Sequence, residues 1–490
     1  MMQLRVWFFV SAALAMSFLA GTASGKTLRI ASYNIDCADQ GSDNNINGSG
    51  HSLTTVIQGI GLHHLGTNAQ PVDILGLEEL KSTTMSNLVV QLNSVYGAGI
   101  YTYDTTTDPN TGGGPDGLVY NSHTVQIISA RALLTGQNVL LQANGTYTAA
   151  HSPGGGVNGV TRAPMVYQIR PVGSGSSNDF YMYVSHARST SDDAQGDARY
   201  AEAQEIRSDA KYKLPAGAHI LYSGDWNLFN GSDENAYKCL TGQTTSDLIN
   251  WADNSAVWAN TNQTQAFDPM SKTIPPTTVT WTNGPSDNAS YLYGDSTSKL
   301  TSRIDIQLMN ARMLGVYNSQ GGVQLAPDSA DPFDSSNFPA SQYPYAFETF
   351  GNNGTVTTND SVTAVGNHSL DDLANTAPNA SSVYAAILLT GSSTTFTGSD
   401  HYPIVGDYIV VSPRPVTPVL SLAGFGTNGL FQFKLTSTAG ASFGIQASTN
   451  ATAWVTIGSA VTGTNGSFLF QDTNTAGFRS RLYRAIWPWP

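Results

Sequence analysis

Two short motifs, far apart along the chain, hold the side chains with the clearest chemistry. Asp225 and Asn227 lie in a Gly-Asp-Trp-Asn sequence that follows an apolar run, and Asp400 and His401 lie in a Ser-Asp-His-Tyr-Pro-Ile sequence. Side chains alternate along a strand, so Asp225 and Asn227 project to the same side and can hold a water or a phosphate oxygen. A carboxylate for a cation and an imidazole that titrates near neutral pH complete a set suited to metal-assisted phosphoester hydrolysis.

Three other apolar runs also end in polar side chains. Asn34 ends the first run, Glu78 and Glu79 follow the second, and His186 follows a later one. Polar residues at the ends of several strands of one sheet system are how α/β enzymes assemble a site. We therefore expect these residues to converge with Asp225.

Glu78 and Glu79 are adjacent in a strand-like run, so we expect them to point to opposite faces and only one to reach the site. A glycosidase built on this pair is disfavoured for the same reason. The alternation of the surrounding residues does not choose between the two glutamates.

Asp305 lies in a run in which Ile304, Ile306 and Leu308 occupy one face. On the other face, its carboxylate could accept a hydrogen bond from a histidine, which fixes the tautomer and raises the pKa of the imidazole. A surface salt bridge with Arg303 is the alternative interpretation.

The composition limits the classes of function. The chain has 490 residues, enough for two or three domains, and 40% of them are hydrophobic, which excludes disorder throughout. Its formal charge is −13 with only 22 lysines and arginines. This charge argues against a tight nucleic-acid-binding protein, but not against an enzyme that holds a polyanion with cations and a few arginines.

The N-terminus has the pattern of a secretory signal peptide. Arg5 precedes an apolar run at residues 6–20, and small residues follow before Lys26. We predict that residues 1–25 are removed and that the protein is secreted, periplasmic or at the cell surface. A membrane anchor is the alternative, but a span needs ~20 apolar residues, so we expect no stable membrane insertion after signal removal. Cys37 and Cys239 are the only cysteines, and a disulfide between them is favoured slightly.

The remaining chain divides at a proline-rich linker, residues 412–418. Residues 26–411 alternate apolar runs with polar connectors and are predicted to form a sheet-dominated α/β domain, with a helix at residues 198–211 over one sheet face. Residues 230–298 and 313–397 are polar and are predicted to leave the core and shape substrate access. Residues 419–490 alternate as in a small β-sandwich, with Trp454 in its core.

Six motifs, in this order, resemble the endonuclease/exonuclease/phosphatase superfamily, which includes pancreatic deoxyribonuclease. They are Ser-Tyr-Asn around Asn34, the run ending at Glu79, His186, Gly-Asp-Trp-Asn at residues 224–227, Arg-Ile-Asp at residues 303–305, and Ser-Asp-His-Tyr-Pro-Ile at residues 399–404. The resemblance covers residues 27–411. It implies a two-sheet α/β sandwich flanked by helices, a magnesium-dependent site (Mg²⁺ or Mn²⁺) at one edge, and a nucleic acid or other phosphodiester as substrate.

The resemblance also implies roles for the metal-binding residues. Glu79 is similar to the principal metal ligand of the family, with Asn34 and Asp400 close to the cation or its waters. Asn34 also stands where members contact the substrate. Arg162 lies in a segment from which deoxyribonuclease-like members supply a phosphate-contacting arginine. Asp116 is offset from the place of the acidic partner of the first histidine, which leaves the partner of His186 open.

The catalytic roles implied by the resemblance fall on five residues. Asp225 is implied to activate or orient the attacking water, directly or through a second cation, and Asn227 to position that water and the phosphate. His401, paired with Asp305, and His186 contact phosphate oxygens and assist proton transfer.

The resemblance predicts a secreted nuclease. A phosphomonoesterase or a sphingomyelinase of the same superfamily is the enzymatic alternative, and residues 281–293 are the one candidate for a lipid-directed hairpin. A non-catalytic secreted binding or adhesion protein is the alternative of another class. Its site would be expected to lack one of the residues Glu79, Asp225, Asn227 or His401. No protein partner is indicated by the sequence.

Overall fold

The structure is a computed structural model that describes residues 26–38, 52–106, 114–133, 163–242, 300–310, 347–351, 370–387, 398–410 and 418–486, with short gaps in several of these ranges, and a few shorter stretches between residues 139 and 313. The chain divides into two compact units. The larger spans Thr27–Ile169 and Phe180–Ile409, and the smaller includes Val410–Pro490. Within the described residues, no helix is both long and apolar enough to cross a membrane.

The larger unit alternates strands and helices. In chain order its first half contains β1 (Lys26–Asn34), α1 (Ser52–Leu62), β2 (His64–Leu65), β3 (Asn68–Ala69), β4 (Ile74–Glu78), α2 (Thr84–Tyr96), β5 (Tyr101–Tyr103), β6 (Gly117–Asn121), β7 (Val125–Ala132), β8 (Val139–Leu141), β9 (Tyr147–Ala149) and β10 (Met165–Pro171). Its second half contains β11 (Phe180–His186), α3 (Asp193–Tyr212), β12 (His219–Asp225), α4 (Asn235–Thr241), β13 (Ala266–Phe267), β14 (Tyr291–Leu292), β15 (Leu300–Ser302), β16 (Asp305–Asn310), β17 (Phe347–Thr349), α5 (Ala380–Ile387) and β18 (Ile404–Val410).

Two mixed six-stranded sheets form the centre of this unit. The first has the order β17-β18-β1-β4-β6-β5 and the second the order β13-β16-β12-β11-β10-β7. The parallel pairs β1–β4 and β11–β12 lie inside the two sheets. The two sheets pack face to face, since a side chain on Gly76 would begin only 2.7 Å from Met182 Cε. A hydrogen bond of 2.6 Å from the Tyr408 hydroxyl to Gln307 Oε1 also joins them.

Helices cover the outer face of each sheet, as the predicted two-sheet α/β sandwich requires. Leu75 and Leu77 face outward from β4 and pack in a cluster with residues of α1, α2 and α5. Tyr222 of β12 packs in a second cluster with residues of α3 and α4. The helix predicted at residues 198–211 is confirmed as α3, which begins five residues earlier, at Asp193.

The prediction that residues 230–298 and 313–397 leave the core is wrong for β13, α4, β17 and α5, which join the two sheets or the clusters that cover them. Strand β17 pairs with β18 at the edge of the first sheet, and β13 pairs with β16 at the edge of the second. Helix α5 buries Val383 and Ile387 against the first sheet. Short apolar stretches inside polar segments supply these elements, and the average composition of the segments conceals them.

The smaller unit contains two three-stranded antiparallel sheets. Its strands are β19 (Val419–Phe425), β20 (Phe431–Thr436), β21 (Ser442–Ser448), β22 (Val455–Val461), β23 (Ser467–Asp472) and β24 (Leu482–Ile486), in the orders β19-β20-β23 and β22-β21-β24. The sheets pack through aromatic rings, with Phe431 stacked on Tyr483 at 5.3 Å between centroids. This arrangement is the predicted all-β module.

Trp454 does not lie in the core of this module, contrary to the prediction. It precedes β22 in a turn, where its indole nitrogen donates to the Ala451 carbonyl at 3.0 Å. The Arg484 guanidinium lies 4.3 Å from the ring centroid, so the half-buried ring forms a cation–π contact at the surface.

The slightly favoured disulfide is also wrong. Neither Cys37 nor Cys239 forms a disulfide, and both are buried. Cys37 packs in the cluster that covers the first sheet and Cys239 in the cluster that covers the second, so the two thiols lie in separate cores.

A buried histidine ties α1 to the edge of the first sheet. His63 Nε2 lies 3.1 Å from Glu348 Oε1 of β17, and its Nδ1 lies 2.9 Å from Asp372 Oδ1. Burial alone would lower the pKa of His63, but the two carboxylates raise it to about 9. Burial alone would likewise raise the pKa of Asp372, but the hydrogen bond from His63 lowers it to about 2.

We expect this cluster to make the stability of the larger unit depend on pH. The pKa of His63 is higher in the folded chain than its ordinary 6.5, so its contribution is complete below pH 6.5 and is lost as the pH rises through about 9. The free energy of unfolding should fall by about 3 kcal/mol over that window. Urea unfolding at several pH values measures it, and His63→Gln should flatten the dependence whereas His123→Gln, on the surface, should not. An equal slope in His63→Gln would contradict the assignment.

Candidate active site

Strand register brings the predicted polar residues to one edge of the sandwich. Asn34 of β1 lies opposite Glu78 of β4 in the first sheet. In the second sheet, Asp225 of β12 lies between His186 of β11 and Asp305 of β16. Because neighbouring strands in register present the same face at paired positions, His186, Asp225 and Asp305 form one row.

Asp225 is at the centre of the site. Asn34 Nδ2 donates to Asp225 Oδ2 at 3.2 Å and to Glu79 Oε1 at 3.1 Å. His186 Nε2 lies 3.4 Å from the same two oxygen atoms. All four side chains are buried, so a carboxylate from each sheet, an amide and an imidazole share one small space.

His401 and Asp305 form a hydrogen-bonded pair beside this space. His401 Nδ1 lies 2.8 Å from Asp305 Oδ2, and its Nε2 lies 3.7 Å from Asp225 Oδ2. Burial alone would lower the pKa of His401, but Asp305, Asp400 and Asp225 raise it well above 6.5. The raised pKa favours the imidazolium form of His401, whose Nε2 faces the centre of the site. Asp305 is buried in this contact, so the alternative of a surface salt bridge is wrong.

Left-handed backbone conformations cluster at the site. Three of the four described non-glycine residues with positive φ belong to it: Asp36 at 52°, Glu79 at 58° and Asn227 at 48°. Such conformations cost roughly 1–3 kcal/mol each and persist where the surroundings fix them. At Glu79 the conformation breaks the strand alternation after Glu78 and brings the Glu79 carboxylate to Asn34. Glu78, fully buried, accepts a 3.4 Å hydrogen bond from Ser32.

Gly224 allows the approach of the two central strands. It has φ of 124°, and a Cβ there would lie 2.0 Å from the Ser185 carbonyl oxygen, so no side chain fits. Glycine within a strand often marks such a close approach. The glycine before Asp225 is therefore part of the geometry that aligns Asp225 with His186.

The charge of the site fits a hard divalent cation. Burial and then the neighbouring carboxylates Asp116, Asp305 and Asp225 raise the pKa of Glu78 well above its usual value. Burial raises the pKa of Asp400 to about 7, with Asp36 among the carboxylates that add to the shift and His401 opposing it. Ligand atoms of Glu79, His186 and Asp225 lie within 4.8 Å of one another. A cation bound there would offset the crowded negative charge.

The structure places most of the predicted residues here and qualifies two. In the assigned amide orientations, Asn34 Oδ1 accepts from the Asp36 backbone nitrogen at 3.0 Å, and Asn227 Nδ2 donates to the Ala187 carbonyl at 3.0 Å. Both amides thus make hydrogen bonds to backbone atoms of the protein. Their contact with a metal or a phosphate stays a prediction. Arg162 lies outside the described residues.

Two further residues position the site: Ser399, which was not singled out from the sequence, and Asp116, whose role was left open. Ser399 Oγ donates to the Asn34 carbonyl at 2.7 Å and accepts from the His401 backbone nitrogen at 3.1 Å. Asp116, whose relation to His186 was left open, accepts from the His186 backbone nitrogen at 3.2 Å. Ser399 could have been found from its place beside Asp400 and His401, since a serine there can bridge two backbone segments.

Comparison with known proteins finds similarity in fold. No protein-family model and no curated protein matches the chain. An endonuclease/exonuclease/phosphatase family protein from Bacteroides thetaiotaomicron is 12% identical, with a TM-score of 0.40 over 78% of this chain and 97% of its own. TDP2 from D. rerio, complexed with single-strand DNA product, is 12% identical, with a TM-score of 0.38 over 78% of this chain and 99% of its own. A mannosyl-6-phosphatase from Bacteroides thetaiotaomicron is 14% identical, with a TM-score of 0.34 over 58% of this chain and 85% of its own.

The neighbours include proteins named for the superfamily that the ordered motifs resemble. At these identities and TM-scores the likeness concerns the fold alone.

We expect Asp305→Asn to lower the pKa of His401 in the metal-free protein, because the substitution removes the nearest negative charge and keeps the side-chain shape. An NMR titration of the histidine ring carbons measures the change. Asp73→Asn, which neutralises a buried carboxylate bonded to the Arg29 backbone nitrogen, serves as the control. If both variants titrate like the parent protein, Asp305 does not set the charge of His401.

Proposed function

We propose that the protein is a divalent-metal-dependent phosphoric ester hydrolase that acts on phosphodiesters, with nucleic acid as its substrate. The observation that carries the proposal is the position of Asp225. Its Oδ2 lies within 3.7 Å of an amide nitrogen and two imidazole nitrogens, and ligand atoms of Asp225, Glu79 and His186 lie within 4.8 Å of one another. Acidic oxygen ligands beside paired imidazoles are the groups that metal-assisted phosphoryl transfer to water needs.

Glu79 would hold the cation beside the carboxylate of Asp225, with Asp400 close by, and Mg²⁺ or Mn²⁺ suits this mostly carboxylate set. When bound, such a cation polarises the phosphoryl group and offsets charge on the leaving oxygen. Asn34 donates to both carboxylates and so keeps their oxygen atoms turned toward one point.

His401 supplies a fixed proton donor. Its Nδ1–H is held by Asp305, which leaves Nε2–H directed at the space beside Asp225. A protonated Nε2 can donate to a non-bridging phosphate oxygen and stabilise the charge that develops as the ester bond breaks. His186 Nε2 faces the same space from the neighbouring strand.

Asp225 orients the attacking water. Its Oδ1 accepts from the Asn227 backbone nitrogen at 2.9 Å, so the carboxylate cannot rotate freely and Oδ2 keeps its place in the site. A carboxylate fixed in this way can accept a proton from the attacking water or align the lone pair of that water with phosphorus.

The preference for nucleic acid rests on the resemblance of the ordered motifs to deoxyribonuclease-like proteins. A phosphomonoesterase or sphingomyelinase remains the enzymatic alternative, and the segment proposed for lipid contact, residues 281–293, lies outside the described residues except for β14. A non-catalytic binding protein is disfavoured because Glu79, Asp225, Asn227 and His401 are all present and gathered at one place. Export of the protein is part of the proposal and is supported by the N-terminal pattern.

We expect turnover of a phosphodiester to require Mg²⁺ or Mn²⁺ and to stop with EDTA. Glu79→Gln and His401→Ala should each lower kcat by about 10²- to 10³-fold, because each removes a group that stabilises the transition state. Plasmid DNA, RNA, sphingomyelin and a simple phosphodiester should be compared, with Asp73→Asn as the folded control and the melting temperature of each variant recorded. Turnover unchanged in both site variants would reject the mechanism, and inactivity of the parent protein on every substrate would favour the binding protein.

A further inference from the structure

A buried arginine of α3 contacts both loops that leave the central strands of the second sheet. The Arg199 side chain is 0% exposed. Its Nη1 donates to the Arg188 carbonyl at 3.0 Å, and its Nη2 donates to Glu234 Oε1 at 2.7 Å. Its Cζ lies 5.5 Å from the centroid of the Phe229 ring. One guanidinium therefore joins the loop after β11 to the loop after β12.

These contacts are two residues away from the site on each side. Arg188 follows His186 by two residues, and Phe229 follows Asn227 by two. The intervening peptides are linked as well, because Ala187 donates its backbone nitrogen to the Asp225 carbonyl at 2.8 Å and accepts from Asn227 Nδ2 at 3.0 Å. Asn227 therefore binds the carbonyl of Ala187, and Arg199 binds the carbonyl of the next residue, Arg188.

Glu234 completes the link to the second loop. It precedes α4 as the N-cap residue, but its side chain makes no capping hydrogen bond and instead pairs with Arg199. Both partners are almost fully buried. Removing one member of such a buried pair is strongly destabilising, because no water solvates the charge that remains. The planar fork of the guanidinium also fixes direction, which an ammonium does not.

We propose that Arg199 is a positioning residue for the hydrolytic site, holding the loops of His186 and of Asp225 and Asn227 in register. The inference rests on the proposed function. Arg199 belongs to α3, on the helix side of the second sheet, and its contacts with Arg188, Phe229 and Glu234 act on the site through the two loops.

Arg207 provides a matched control in the same helix. It is equally buried, and it also contacts the α4 region, by donating to the Cys239 carbonyl and, at 3.1 Å, to Thr264 Oγ1. It lies eight residues along α3 from Arg199, about 12 Å at the rise of an α-helix. Loss of Arg207 should therefore destabilise the same helix pair without touching either catalytic loop.

The test compares Arg199→Lys and the double variant Arg199→Met/Glu234→Gln with Arg207→Met. The first keeps a positive charge for Glu234 but loses the fork, and the second leaves no unpaired charge. With Mg²⁺ and bis(p-nitrophenyl) phosphate, both Arg199 variants should lose about 10- to 100-fold in kcat, the effect of small misplacements of catalytic groups, while KM changes by less than about threefold. Arg207→Met should lose at least as much melting temperature and keep kcat within about twofold of the parent.

A second readout does not depend on turnover. NMR spectra of the protein labelled at histidine ring carbons, with the His186 signal assigned from His186→Gln, should show that signal shifted in Arg199→Lys and unchanged in Arg207→Met. An unshifted His186 signal, or equal loss of kcat in folded Arg207→Met, would overturn the proposal. If the parent protein hydrolyses none of the substrates tested, the proposed function fails, and the His186 signal alone decides whether Arg199 positions that loop.

Discussion

Several carboxylates lie close together between the two sheets and repel one another. The rest of the site must offset this buried negative charge. Glu78, Asp400 and Asp225 crowd a region that also holds Asp305 and His401, and the pKa values of Glu78 and Asp400 are raised accordingly. Charge of one sign is costly to bury unless cations or donors offset it. Three groups could offset this charge: the imidazolium form of His401, the amide of Asn34 and a bound divalent cation. Together they define the chemistry proposed for the protein.

Strand register and backbone conformation bring these groups next to the buried carboxylates. Parallel register aligns His186 with Asp225, and Gly224 permits the close approach that the register needs. Left-handed turns at Glu79 and Asn227 then redirect the chain immediately after β4 and β12. The strands thus end at one edge of the sandwich, and the residues with left-handed conformations turn the site side chains inward. The strain is tolerated because buried hydrogen bonds on both sides of each turn fix the conformation.

Much of this arrangement could be predicted from the sequence, because apolar runs followed by polar residues mark strands that end at a site. The order of the motifs indicated the sandwich, and the alternation around Asp305 indicated its inward face. The choice between Glu78 and Glu79 could not be made from periodicity, since the left-handed turn that decides it depends on neighbours far along the chain. Strand β17 and helix α5 were missed because their apolar residues are few and lie within long polar segments. The pairing of Arg199 with Glu234 joins two elements by tertiary packing and leaves no local pattern in the sequence.

The two cysteines have a consequence for how the chain can mature. Cys37 and Cys239 lie unbridged in different hydrophobic clusters, and burial raises the pKa of the Cys239 thiol to about 12, so it is scarcely nucleophilic at neutral pH. Neither sulfur contributes a covalent crosslink to the fold. Folding therefore needs no oxidant and no disulfide isomerase, and the same native packing is accessible in a reducing cytosol and in an oxidising extracellular medium.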